Sequence, residues 1–264
     1  MLCEMRCLHS LTHATAKTID ENSERQMTNS PTLDDTINKA GSWSAVILIV
    51  AGVLSVFFPL DAPEGQFADR MMWYSSNVNA YVIGWVIQMI AMLTLSGVFA
   101  ATAWQTRRSH PLSSFIAGTA LIAATMAFLI PKFIAIWSIP QMVTASTAVT
   151  ANAAVAEQLF QLLNPSLSFS LFTSFDYLGF WMYGVFGLLV ARPLFRLSLS
   201  AKISAVTLGL FGVLYHLLLF GVMFGSIATA DVGPYAESTG ILLLIPVISM
   251  AVYFRHAMKA KGAE

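Results

Sequence analysis

Long apolar runs alternate with short polar segments along this chain, and six of the runs are long enough to cross a bilayer. About 20 apolar residues in a helix cover a hydrocarbon core roughly 30 Å thick. The pattern predicts spans over Trp43–Leu60, Ala80–Trp104, Phe115–Ile139, Ser168–Ala191, Ile203–Gly225 and Ser238–Phe254. The sixth is short and interrupted by Pro246. Pro59, Pro111, Pro140, Pro193 and Pro234 are read as marking helix ends, where a missing N–H does least harm. Between the third and fourth spans, Ala153, Ala156, Phe160 and Leu163 recur at helical spacing. They predict an amphipathic helix on the outer surface, ending before Pro165. The expected fold is all-α: a six-transmembrane-helix bundle of a polytopic membrane protein.

Basic residues orient the bundle. Arg107 and Arg108 follow the second span, Arg192, Arg196 and Lys202 join the fourth to the fifth, and Arg255, Lys259 and Lys261 follow the sixth. The alternate loops are poor in Lys and Arg, with Arg70 alone between Leu60 and Asn79. Lys and Arg mark cytoplasmic loops, which puts both termini inside. The localisation expected is a multi-pass protein of a bacterial inner (plasma) membrane.

Composition agrees: 56% of the 264 residues are hydrophobic and only 11% charged, against about 25% charged in a soluble domain. The net charge is zero and no basic block points to nucleic acid. Residues 1–40 read as a polar, disordered cytoplasmic tail without the apolar region of a signal peptide, residues 41–256 as the membrane domain, and residues 257–264 as a short basic tail. Met27 is an alternative start. Both cysteines, Cys3 and Cys7, fall in the tail with His9 and His13. Their spacing matches no standard zinc pattern, so no metal site is assigned.

Three ionisable residues interrupt the apolar runs: Lys132, Asp176 and His216. A charge at the centre of a spanning helix costs at least about 2.5–3.5 kcal/mol, and such residues face a protein interior or a wet cavity. At about 1.5 Å per residue, Lys132, Asp176 and Gln88 lie about 6–7 Å outward of their span midpoints and His216 about 3 Å. Four spans thus carry a polar side chain in one layer. Helical Cα–Cβ bonds tilt toward the N-terminus, which lets Lys132 and Asp176 lean toward each other across antiparallel spans. Pro131 bends the third span beside Lys132. Small or polar stripes continue each position: Asp176, Gly179, Tyr183 and Gly187; Gly209, Gly212 and His216; Gly118, Thr125 and Lys132. They are expected to face the interior. Gly221 and Gly225 form a G-x-x-x-G pair, a weak signal for close helix packing.

The chemistry of these residues sets the function classes. No HExxH helix, phosphate loop or G-x-S-x-G elbow occurs. A haem between helices needs two well-placed histidines, and only His216 is deep. A Ser–His pair built from His216 with Ser170 or Ser174 has no local support. No cofactor is therefore called for. The leading expectation is a small transporter-like or ligand-binding bundle with an outward-facing polar pocket formed by Gln88, Lys132, Asp176, Tyr183 and His216. In it Asp176 and His216 exchange protons, and Lys132 attracts an anionic group or neutralises Asp176. The expected partners are the lipid bilayer and a small-molecule or lipid ligand. The alternatives are a non-catalytic scaffold or accessory subunit locked by a structural Lys132–Asp176 pair, and an intramembrane enzyme acting on a lipid or quinone beside His216. The oligomeric state is not encoded in these patterns.

Overall fold

The computed structural model describes residues 32–147, 152–167, 169–228 and 231–261. The Cys3, Cys7, His9 and His13 group, like Met27, lies outside them. The described residues form eight helices and no strand: α1 (Leu33–Ser55), α2 (Phe67–Thr106), α3 (Pro111–Thr147), α4 (Asn152–Leu163), α5 (Leu171–Leu194), α6 (Leu199–Met223), α7 (Val232–Ile241) and α8 (Leu244–Lys261). Six apolar stretches are long enough to cross a membrane, α7 and α8 together making the sixth. This is the multi-pass helical bundle expected, with α4 as the extra helix between the third and fourth spans.

Several boundaries differ from the hydropathy pattern, each for a local reason. α1 begins at Leu33, not Trp43. The Thr32 hydroxyl accepts from the Asp35 N–H (3.4 Å), and the Asp35 carboxylate accepts from the Thr32 N–H (3.2 Å). This reciprocal cap, with Asp34 and Asp35 at the positive end of the helix, starts the helix within the polar segment. α2 runs 40 residues, about 60 Å, so the loop expected before Asn79 is helical from Phe67. α3 runs 37 residues straight through Pro131 and Pro140, so Pro140 does not end it. Pro193 likewise lies inside α5, next to its last residue. Pro246 acts through its neighbours: its ring excludes the carbonyl of Leu242 from the helical ladder, and the sixth span breaks at Leu242–Leu243.

Glycines set how closely helices approach. A Cβ on Gly187 would sit 2.5 Å from the Leu208 carbonyl oxygen, and one on Gly212 2.7 Å from that of Gly184. α5 and α6 are therefore in backbone contact. Gly41 of α1 lies against Phe254 of α8 and Ala101 of α2. With α3 packed on α2 and α5, and α6 on α8, the six spans close into a ring. Gly118 behaves differently: nothing lies within 4 Å of its added Cβ, so it faces outward and not into the interior. The Gly221–Gly225 pair is a helix terminus, not a packing motif. Gly225 has φ +71°, and the Ser226 and Gly225 amides bond the Gly221 and Val222 carbonyls (2.7 and 3.1 Å), a left-handed glycine closure of α6.

Two hydrophobic clusters fill the ring. One, around Phe99, Phe186, Leu208, Phe211, Met250 and Phe254, joins the spans. The second gathers Met71, Tyr74, Tyr81, Trp85, Ile139 and Phe160, at the end where α2 and α3 outrun their apolar spans and α4 packs across them. That end carries Asp61, Glu64, Asp69 and Glu157 and is called the acidic end. The opposite, basic end carries the Arg107–Arg108 and Arg192–Lys202 loops. Outward-facing side chains between the ends are apolar, with Phe115 74%, Ile122 67% and Leu217 60% exposed, as a lipid contact surface requires.

Gly187→Ala is expected to lower the thermal stability of the detergent-solubilised protein, because its methyl group meets backbone that cannot rotate away; the cost of such overpacking is about 1–3 kcal/mol. Gly52→Ala, whose Cβ meets nothing within 4 Å, is expected to leave the melting temperature unchanged or slightly raised.

Candidate functional site

A half-open cavity of about 800 Å³ is bounded by α1, α2, α5, α7 and α8. Its wall is mostly apolar, from Leu48, Met92, Phe180, Leu243 and Val247. Polar groups enter at three places. Asp176 comes from α5 together with Thr173 and Tyr177, Gln88 from α2, and Ser55 and Ser166 line the acidic end. The broken sixth span supplies a whole side of the cavity, including Gly240 and Ile241 beside the break.

Asp176 and Lys132 form the predicted ion pair, Nζ to Oδ1. The two residues are not equivalent. The Lys132 side chain is 6% exposed and that of Asp176 23%, and only Asp176 lines the cavity. Behind it, the Lys132 ammonium is boxed by aromatic rings, with centroids of Phe128 at 5.2 Å, Trp85 at 5.8 Å and Phe172 at 6.0 Å. Ring faces stabilise a cation that has lost its water. Asp176 is the only hydrogen-bond acceptor on Lys132 among the described residues. Of the two roles expected of Lys132, attracting an anionic group or neutralising Asp176, the geometry matches the second: the ammonium is enclosed, and what faces the cavity is a carboxylate whose charge it balances.

Gln88 makes no hydrogen bond among the described residues and faces the same cavity. A carboxamide in apolar surroundings costs free energy unless it is hydrogen-bonded. Asp176 uses one oxygen on Lys132, and no protein donor bonds the other among the described residues. The cavity therefore offers acceptor sites on Asp176 and both donor and acceptor sites on Gln88.

Tyr183 and His216 lie elsewhere. Tyr183 is fully buried, and its hydroxyl is 2.7 Å from Ser96 Oγ, which is 2.8 Å from Thr125 Oγ1. This chain of hydroxyls ties α2, α3 and α5 together inside the core. His216 has both ring nitrogens committed. Its Nε2 accepts from the Trp181 indole N–H (3.1 Å), and its Nδ1 is 2.7 Å from the Gly212 carbonyl. An indole only donates and a carbonyl only accepts, so the ring proton is on Nδ1. The imidazole does not line the cavity; Trp181 beside it is 37% exposed on the outer surface. Neither proton exchange with Asp176 nor a Ser–His arrangement fits, since Ser170 caps α5 through the Thr173 amide (3.2 Å) and Ser174 donates to the Ser170 carbonyl (2.8 Å).

One site residue escaped the sequence pattern. Arg70, 8% exposed, bonds Asp61 (2.7 Å), Asn164 (3.1 Å) and Ser166 (3.1 Å) from one terminal nitrogen and lies over Phe160 at 5.7 Å. Tyr74 and Ser166 also donate to Asp61. This knot fastens the α1–α2 loop and the end of α4 to α2, and so fixes Ser166 at the cavity. The available signal was its isolation, as the sole Lys or Arg in the loops of the acidic end.

Asp176→Asn leaves the enclosed Lys132 cation without a counter-charge, and breaking a buried pair in this way costs about 3–5 kcal/mol. A large drop in melting temperature is expected for the single variant. The double variant Lys132→Met/Asp176→Asn, which removes the stranded charge, is expected to recover most of the loss.

Comparison of the chain with family models, curated proteins and solved structures returns no match in any of the three.

Proposed function

We propose that this multi-pass membrane protein binds a small amphipathic molecule in the cavity bounded by α1, α2, α5 and the broken α7–α8 span, as a ligand-binding or transporter-like bundle. The observation that carries this reading is the pair of uncommitted polar groups lining one mostly apolar cavity: the Gln88 carboxamide and the second oxygen of Asp176. A purely structural interior would pair such groups within the protein. Binding sites in membrane bundles also use interrupted helices, whose freed backbone groups face the cavity. The ligand this chemistry suits is largely apolar, with at least one N–H or O–H to donate.

A second reading, a scaffold or accessory subunit, draws on a specific feature: Lys132 is fully enclosed and its charge balanced, as a register lock requires. The two readings part on cavity variants. Gly240→Leu fills the cavity from a position where a Cβ meets only Phe180, at 3.9 Å. Gln88→Leu removes the carboxamide. Small molecules extracted from purified wild type and both variants are compared by mass spectrometry, with melting temperatures alongside. The expected result is a molecule retained by the wild type, depleted in Gly240→Leu and reduced about two- to tenfold in Gln88→Leu, the range for one neutral hydrogen bond. Identical extracts from three equally stable proteins would favour the scaffold.

For orientation, the basic-end loops support a cytoplasmic location for both termini. In a Cys3→Ser/Cys7→Ser background, a cysteine at Glu64 is expected to react with an impermeant maleimide on intact cells, and one at Lys259 only after lysis. The reverse pattern would invert the bundle.

A further inference from the structure

A second concavity lies at the basic end, between α2 and α3. Its volume is about 510 Å³, and Arg107 and Trp104 line it along with Ala103, Phe115, Gly118 and Ile122. We propose that it is a binding site for one anionic phospholipid, with the acyl chain in the groove and the phosphate on Arg107.

Geometry and charge point the same way. From Pro111 to Ile122 the groove follows α3 for about 16 Å, close to one leaflet of a roughly 30 Å core. Its floor is apolar because the Ser114 hydroxyl turns away to Thr106 at 2.7 Å. Gly118 leaves open space where any side chain would stand, and Phe115, 74% exposed, flanks that space. The groove ends at Trp104, a residue type that settles at headgroup depth. The Arg107 guanidinium carbon lies over that indole, 3.7 Å from its centroid, and a terminal N–H donates to the Trp104 carbonyl at 2.8 Å. This fixes a cation at the level where a phosphate lies. Arg108 adds to the positive end, as does the N-terminus of α3 at Pro111. Basic pockets between spanning helices suit anionic headgroups for these reasons.

The test uses the full chain in detergent with dioleoyl phosphatidylglycerol or dioleoyl phosphatidylcholine, read by native mass spectrometry and thermal stability. The wild type is expected to retain phosphatidylglycerol in preference to phosphatidylcholine and to melt higher with it. Arg107→Gln is expected to cut phosphatidylglycerol retention about fivefold and to abolish the preference. Gly118→Leu, which fills the groove without meeting a neighbour, is expected to lower retention of both lipids while melting normally without lipid. Inorganic phosphate alone is expected to give no stabilisation. Equal retention of the two lipids by the wild type, retention unchanged in both variants, or full stabilisation by phosphate would each overturn the proposal.

Discussion

A buried ammonium in a hydrocarbon-solvated bundle must bring its own solvation, and the arrangement around Lys132 follows from that requirement. Its only acceptor among the described residues is Asp176 on the neighbouring span. The rest of its shell is aromatic: Phe128 from α3, Trp85 from α2 and Phe172 from α5. Three helices are thereby held in one register around a single charge. The rings belong to different clusters, Phe128 to the membrane core and Trp85 and Phe172 to the one at the acidic end. The ion pair therefore sits where the two cores meet, and shifting α3 or α5 along its axis would strand a charge.

The same pair shapes the cavity. Because Lys132 is enclosed behind Asp176, the wall presents an acceptor without a net charge. This permits a carboxylate in an apolar chamber at a tolerable desolvation cost. Gln88 lines the same cavity, one side of which is the sixth span, broken ahead of Pro246. At the acidic end, Arg70 plays a related part with a larger set of partners. Its guanidinium gathers Asp61, Asn164 and Ser166, and so clamps the extramembrane helix against the ring.

The ion pair was legible before any coordinates because charge in an apolar run is costly and helix direction limits which residues reach each other. The rest of the expected pocket was not. Depth along a span can be counted, but rotation about the helix axis depends on which neighbours pack where. His216, counted into the layer of Asp176, turns to Trp181, and Tyr183, about two turns further along α5, turns to Ser96. Gly118, read as interior from its seven-residue spacing, points outward. The segment carrying Arg70 reads as a loop, whereas it is the first turn of α2, with Arg70 over Phe160 of α4.

The sequence alone determined the six spans, the extra amphipathic helix, the segregation of basic residues to one end and the Lys132–Asp176 pair. Each follows from local pattern or from the high cost of an unpaired charge in hydrocarbon. Tertiary structure decided where helices begin and end beyond the apolar core, which polar residues share a cavity and which are spent on helix contacts. Those outcomes depend on close approach at Gly187 and Gly212, on the break before Pro246 and on the rotation of each span. They are set by packing between distant segments, which no window along the chain contains.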